Sequence, residues 1–420
     1  MAHFGIISPP VSGHLHPFPA LGRELIARGH RATCLHMPDP EAQIRSLGIG
    51  YVPIGSGDHP RGSLPESLER LSRLRGLAAL RFTIRAVERT SEMLLRDGPQ
   101  AIQEAGIDAL LVDQMEPAGG AIAEHLGLPF ITVCNALPIN RDARLPPPFT
   151  GWAYGESGWA HLRNRIGYAG SDWRLRPIRR VVARYRAEWG LPALASPDES
   201  FSKLAQISQL PREFDFPRAE VPAGFHYVGP LRHATHGFGP DFTPFPWERL
   251  DGRPLVYASL GTLQNRREAL FRCFAEACHG LDVQLVISHG GGLNPRQAAS
   301  LPGDPLVVGY APQTQLLACA RLTITHAGLN TVLDSLANAV PMVAVPIAYE
   351  QAAIARRVAW TRAGKLLPLA KIDAARLRET VREVLREVRY RQGAGRLAYA
   401  IRAAGGVRKA ADIVEGSCVH

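Results

Sequence analysis

Short apolar runs alternate with helix-patterned segments twice along this chain, and that double alternation constrains the fold more than any other feature. Residues 4–8 and Arg31–His36 read as buried strands, separated by a helix over about 17–28 that Gly29 ends. The pattern repeats with four apolar residues at 109–112 running into Asp113, a helix over about 118–126 closed by Gly127, and a strand over 129–134. Between these runs, residues 67–96 form an amphipathic, arginine-studded helical excursion. Residues 217–254 are rich in Gly and Pro, and their later part, 232–253, reads as a linker. The alternation then restarts with a strand at Leu255–Ser259, a helix over about 267–279, and strands at 283–288, 306–309 and 321–325. A helix over about 331–339, a strand at 342–345 and two C-terminal helices complete it. Strands separated by helices pair in parallel, so the fold class is α/β, with two Rossmann-like parallel-sheet lobes and a cleft between them. The expected division is 1–231 for the first lobe, 232–253 for the linker, 254–395 for the second lobe, and 396–420 for a terminal helix packing back on the first.

Size and composition agree. A chain of 420 residues exceeds one compact core and suits two or three domains, and 46% hydrophobic residues exclude wholesale disorder. Cys34, Cys134, Cys273, Cys278, Cys319 and Cys418 are scattered with no CxxC, which argues against a disulfide scaffold or structural zinc and for a reducing, cytoplasmic setting. No basic-then-apolar targeting segment opens the sequence, and no apolar run reaches the ~18–20 residues that span a bilayer. The most apolar region, 339–348, is broken by Pro341 and Pro346. The expectation is a protein that is soluble or rests on a membrane without crossing it.

The formal charge of +10 is unevenly placed: +6 of it falls in the 31 residues 159–189, where eight arginines (163, 165, 174, 176, 179, 180, 184 and 186) meet only Asp172 and Glu188. Trp159, Tyr168, Trp173, Tyr185 and Trp189 are interleaved with them. Basic and aromatic residues on helices suit an anionic membrane surface, and peripheral association is one expectation; the plainer one is a solvated helix face. No nucleic-acid motif accompanies the segment, which excludes nucleic acid as a partner.

Residues 310–351 carry the densest chemistry. An expected strand ends at Thr325 and runs through His326, Gly328, Leu329, Asn330 and Thr331 into a helix. Ligands of open α/β sheets bind beyond the carboxyl ends of strands, and a helix N-terminus there suits a phosphate. His326, Asn330 and Thr331 add donors, Asp334 lies on the same helix face and can accept from sugar hydroxyls, and Tyr310 offers a ring for stacking a base. A bare His-x-Gly reads more plainly as the start of a core helix. The combined pattern resembles the nucleotide-sugar signature of family 1 glycosyltransferases, the UDP-glycosyltransferases of the GT-B fold, across these 42 residues. Ala311, Pro312, Gln313, His326, Gly328, Asn330, Thr331, Pro341, Pro346 and Gln351 match it. The resemblance extends to Ser-Leu-Gly-Thr at 259–262 and Gly-His-Leu-His-Pro at 13–17, so it reaches both lobes.

The resemblance implies a role for each matching position. Tyr310 stacks on uracil and the Ala311 backbone reads its edge. Gln313 and Asp334 hold the ribose hydroxyls. His326, Asn330 and Thr331, with the amides near Leu329 and Gly328, hold the diphosphate, whose charge His326 and the helix N-terminus meet. Glu350 and Gln351 address the transferred sugar, and Ser259 and Thr262 face the donor from the other loop. Three residues depart from the family's habit: Tyr310 stands for Trp, Asp334 for Glu, and Glu350 for the Asp of an Asp-Gln pair. These leave the donor sugar open, with glucose as the expectation. The donor is a substrate; no cofactor and no metal is implied, and no Asp-x-Asp stands at an expected strand end. His289, beside three glycines, lies in a loop near the cleft.

The expected catalytic pair lies in the first lobe. His14 follows the first strand and Asp113 ends a later parallel one, so both face the same sheet edge. An acceptor hydroxyl needs a general base, a neutral imidazole suits, and a carboxylate on its far nitrogen orients it. The resemblance selects His14 over His16, which reads as a helix-start residue. The plainer role for Asp113 is an N-cap for the following helix. The implied reaction is one inverting displacement at the anomeric carbon. Residues 145–149, 326–336 and 346–351 look most like the bacterial carotenoid (zeaxanthin) glucosyltransferases within the family, which implies a long apolar hydroxylated acceptor. The alternatives are a phenolic, polyketide, macrolide or sterol-like acceptor. Two rivals of other classes are a GT-B-like UDP-sugar epimerase and a non-catalytic UDP-sugar-binding module.

Overall fold

The computed structural model describes residues 1–15, 17–232, 245–263 and 265–419. His16 and most of the expected linker lie outside the described residues. The first sheet has seven strands: β1 (His3–Ile7), β2 (Arg31–His36), β3 (Gly50–Pro53), β4 (Ala109–Asp113), β5 (Phe130–Cys134), β6 (Gln206–Ser208) and β7 (Phe225–Tyr227). Their order is β3-β2-β1-β4-β5-β6-β7, and every pairing is parallel. The second sheet has β8 (Leu255–Ser259), β9 (Gln284–Ser288), β10 (Leu306–Val308), β11 (Ala320–Thr325), β12 (Met342–Ala344) and β13 (Gly364–Leu366), ordered β10-β9-β8-β11-β12-β13 and again all parallel. Every residue of β1, β4 and β8 is buried, as helices on both faces of a parallel sheet require.

In each sheet the strand order reverses next to its first strand, between β1 and β4 and between β8 and β11. Such reversal points open crevices at the carboxyl ends of the strands. Asp113 and Ser259 end β4 and β8, and His14 and His326 follow β1 and β11, so topology alone gathers the candidate residues.

Several elements differ from expectation. The excursion at 67–96 is two helices, Ser63–Arg73 and Gly76–Glu104, because Leu74 and Arg75 adopt extended backbone between them. The C-terminus holds three helices, Ala374–Arg386, Val388–Ala403 and Gly406–Cys418, where two were expected. The last packs on Pro17–Ala27, burying Ala410, Ala411 and Val414 among Phe18, Leu21 and Leu25. Arg28 fastens it through Asp412 at 2.6 Å and Glu415 at 2.7 Å. The arginine-rich segment is one helix, Gly158–Glu188, packed against Gly76–Glu104. Among the described residues, no helix is long and apolar enough to cross a membrane.

The lobes also meet through a buried charge cluster. Arg357, on the helix Gln351–Trp360, donates from Nη2 to Asp215 Oδ1 at 2.8 Å and stacks over Phe216 at 4.2 Å. Arg218 reaches the other oxygen of Asp215 at 2.7 Å. With two cations against one carboxylate, Asp215 stays ionised despite burial, its pKa falling from 3.8 to about 2.

Candidate active site

A cleft of about 1040 Å³ runs between the lobes, and residues of both line it. On the first-lobe side, His14 donates from Nδ1 to Asp113 Oδ2 at 2.9 Å. The carboxylate is fully buried and the imidazole partly so. Burial alone would lower the His14 pKa, but the charge and hydrogen bond of Asp113, with Glu350 and Glu116 behind it, outweigh that and raise it above its ordinary 6.5. Asp113 does not cap the next helix, Pro117–Leu126, whose N-cap position is Glu116. Its Oδ1 accepts from the Met115 amide at 2.8 Å instead, which fixes the carboxylate at the strand end.

Sequence reading missed the residue behind this pair. Asn135, directly after β5, donates from Nδ2 to Asp113 Oδ2 at 2.8 Å and to the His14 carbonyl at 3.3 Å. Gln209, directly after β6, donates to Asn135 Oδ1 at 3.0 Å. Both are buried polar side chains immediately beyond strand ends, the same signal that singled out Asp113.

On the second-lobe side the helix Leu329–Ala337 begins with no side chain on its first amides, its N-cap position being Gly328. His326 stands at this end, packed between two glycines: a Cβ at Gly328 would lie 2.5 Å from the His326 Nε2, and one at Gly261, where φ is +71°, would lie 2.8 Å away. The glycines of Ser-Leu-Gly-Thr and His-Ala-Gly therefore exist to admit this ring. Ala327 between them has φ +65°, a backbone state that non-glycine residues rarely adopt and that recurs at functional loops. Burial lowers the His326 pKa to about 4, so the imidazole can donate a hydrogen bond but carries no fixed positive charge.

The expected ribose ligands are tied together: Gln313 Nε2 donates to Asp334 Oδ2 at 2.7 Å, and Thr331 Oγ1 donates to Gln313 Oε1 at 3.2 Å. Tyr310, Ala311, Thr262 and Glu350 all line the cleft. Ser259 Oγ accepts from the Gly261 amide at 3.2 Å, shaping the loop below His326. Gln351 spends its Oε1 on the amides of Ile347 at 2.8 Å and Ala348 at 2.9 Å, which leaves its NH₂ as the group able to address a ligand. Asn265, another residue not singled out in sequence, joins the loops after β8 and β9 by donating to the carbonyls of Gly261 at 2.9 Å and Gly290 at 2.6 Å. His289 accepts from the Leu293 amide at 3.2 Å and so organises its own loop.

The two halves touch: Asn330 Nδ2 donates to the carbonyl of Gly13 at 3.0 Å, placing the start of the helix Leu329–Ala337 beside the residue preceding His14. Residues 202–402 match the family model described as "UDP-glucoronosyl and UDP-glucosyl transferase". The chain is 39% identical to a zeaxanthin glucosyltransferase of Pantoea ananas, with 99% of this chain and 96% of that protein covered. The chain belongs to the UDP-glycosyltransferase family. A second relative, a zeaxanthin glucosyltransferase of Pseudescherichia vulneris, is 35% identical over 99% of this chain and 98% of its own. The fold is GT-B, as in the glycosyltransferase of kitacinnamycin, which superposes with a TM-score of 0.75 at 23% identity over 99% of this chain and 98% of that one. This UDP-glycosyltransferase thus lines one wall of its cleft with residues of 310–351 and the other with a histidine–carboxylate pair.

Proposed function

We propose that the enzyme transfers glucose from UDP-glucose to a hydroxyl of a long apolar acceptor of the carotenoid kind, inverting the anomeric carbon. The observation that carries this reading is the His14–Asp113 pair, 2.9 Å apart, opening on the cleft that the loops 310–351 line from the other side. With Nδ1 committed to Asp113, Nε2 of His14 takes the acceptor proton. The freed oxygen attacks C1 of the sugar from the face opposite the nucleotide, and the C1–O bond breaks with its electron pair leaving on UDP. The amides of the helix Leu329–Ala337 and His326 meet that charge by hydrogen bonding. Asp113 fixes the His14 tautomer and stabilises the imidazolium.

The acceptor side supports an apolar substrate. Leu64, Leu68, Leu71, Phe82, Val87 and Phe149 line the cleft beside His14, and the two relatives named above act, by name, on zeaxanthin. The test is incubation with UDP-glucose and a panel of zeaxanthin, a flavonoid and a macrolide, read by mass spectrometry and by NMR of the new anomeric centre. A β-glucoside of zeaxanthin is expected. Glucosylation of the flavonoid or macrolide alone would overturn the acceptor, and an α-product would overturn inversion.

An acceptor dissolved in lipid calls for a way to meet it, and we read the helix Gly158–Glu188 as a docking face for an anionic lipid surface. Trp159, Leu162, Ile166 and Trp173 are 70%, 50%, 60% and 64% exposed. At 100° per residue they fall within an arc of about 60°. Arg165, Arg176 and Arg180 are exposed along the same side with no acidic partner among the described residues. On another side of the same helix, Gly167 packs on Trp152 and Pro147, in the segment whose Phe149 lines the cleft.

A further inference from the structure

A nucleotide-sugar diphosphate is negatively charged on each phosphoryl group, yet no described lysine or arginine of the donor loops lines the cleft, burial lowers the His326 pKa to about 4, and Asn330 and Thr331 are neutral by nature. Among the described residues, the one cation hydrogen-bonded to these loops comes from the opposite lobe. Arg232, just beyond the first lobe's last strand, donates from Nε to Asp334 Oδ1 at 2.8 Å and from Nη2 to Asn330 Oδ1 at 3.0 Å. Its third nitrogen is anchored at home, with Nη1 3.3 Å from Gln209 Oε1 and 3.1 Å from the Leu231 carbonyl. Asn330 and Asp334 are one helical turn apart on one face, so the guanidinium lies across the first turns of the donor helix.

We propose that Arg232 is a donor ligand supplied by the acceptor lobe: it rests on Asp334 and Asn330 until a nucleoside diphosphate arrives, then pairs with the diphosphate. Asp334 gains acceptor capacity from the change. Its Oδ2 accepts from Gln313 and its Oδ1 from Arg232, so ribose hydroxyls gain a carboxylate oxygen when the guanidinium leaves. The move is short, because Arg232 already touches Asn330, in the first turn of the helix whose amides face a phosphate. A guanidinium fork matches phosphate oxygens two at a time. The anchor also sets register: Gln209 binds Asn135, which binds Asp113, so the cation that grips the donor belongs to the same buried chain that orients His14.

This inference rests on the donor reading above, and calorimetry with UDP and with uridine separates the two. Wild-type protein that binds neither would remove the donor reading itself. If Arg232 pairs with the diphosphate, R232Q weakens UDP by roughly 10- to 100-fold, the range of a lost charge-assisted contact, while uridine binds as before or more tightly. An equal change for both ligands, or unchanged UDP affinity, would make Arg232 an interlobe strut and overturn the proposal. Should R232Q fail to fold, R232K decides the matter by the same ratio: lysine keeps the charge without the fork, and the preference for UDP over uridine must fall several-fold. An unchanged ratio in R232K overturns it equally.

Discussion

The amide of Asn330 in one lobe donates to the carbonyl of Gly13 in the other at 3.0 Å, so the residue expected to hold the donor's diphosphate is hydrogen-bonded one residue away from the expected base. This bond and those of Arg232 register donor and acceptor chemistry, and perturbing either half gives a distinguishable signature.

Removing the base tests the first half. His14→Ala should lower kcat by on the order of 10²–10⁴ while UDP affinity, measured by calorimetry, stays within about threefold of wild type. Asp113→Asn keeps the geometry but loses the charge that fixes the tautomer, and a loss of the same order is expected. Turnover that survives in His14→Ala would exclude His14 as the base.

The pH profile follows from the same pair. A general base works unprotonated, and Asp113, Glu350 and Glu116 raise the His14 pKa above 6.5 despite burial. The imidazole therefore holds its proton to higher pH, and kcat/KM should climb with pH through a limb whose midpoint lies above 6.5. In Asp113→Asn the largest raising influence is gone while burial remains, so the limb should move to lower pH at reduced plateau. A limb that stays in place would show that another group titrates.

Gly328 tests the donor loop. A methyl group there would lie 2.5 Å from His326 Nε2, and the ring is hemmed in by Gly261 on its other side. Gly328→Ala should therefore displace the imidazole and weaken UDP binding by at least tenfold, with thermal stability falling much less than activity. Unchanged UDP affinity would detach His326 from the donor site.

The interlobe cluster governs stability instead. Asp215→Ala strands Arg357 and Arg218 as buried charges and should cost about 3–5 kcal/mol in chemical denaturation. The carboxyl's folded pKa, about 2, lies below its ordinary 3.8. Its contribution is thus complete above about pH 4, amounts to about 2 kcal/mol, and disappears as pH falls through about 2. The acid limb of the wild-type stability curve should be shallower by that amount in Asp215→Asn. An identical limb in both proteins would assign acid unfolding to other carboxyls.

Much of this was legible in the sequence because it depends on position along strands. Buried parallel strands announce themselves as apolar runs, and a polar residue at the carboxyl end of one, such as Asp113 or His326, is placed by topology alone. The reading stopped where recognition depends on partners distant in sequence. Asn135 and Gln209 also follow strands, but β6 is only three residues long and sits among prolines and polar residues, so its end went unmarked. Arg232 appeared as a linker residue because nothing local reveals that Asp334 lies against it, 102 positions later. His326 is legible as a residue at the helix start, but the burial that lowers its pKa to about 4 is encoded by no motif.

The exposed stripe on Gly158–Glu188 yields the last expectation. Trp159 to Trp173 spans roughly 20 Å of helix, long enough to lie along a lipid surface with the arginines toward headgroups. Each such arginine contributes about 1 kcal/mol at an anionic surface, screened by salt. Wild-type protein should co-sediment with vesicles containing phosphatidylserine and much less with phosphatidylcholine alone. Replacing Arg165, Arg176 and Arg180 with Gln should cut anionic-vesicle binding by roughly 100-fold, and Trp159→Ser with Trp173→Ser should reduce it further at high salt. Glucosylation of a water-soluble acceptor, if one is accepted, should be unaffected by either set, because none of these residues lines the cleft. Equal recovery with neutral and anionic vesicles would sink the lipid assignment, and self-association through this face would show instead as a concentration-dependent mass in light scattering.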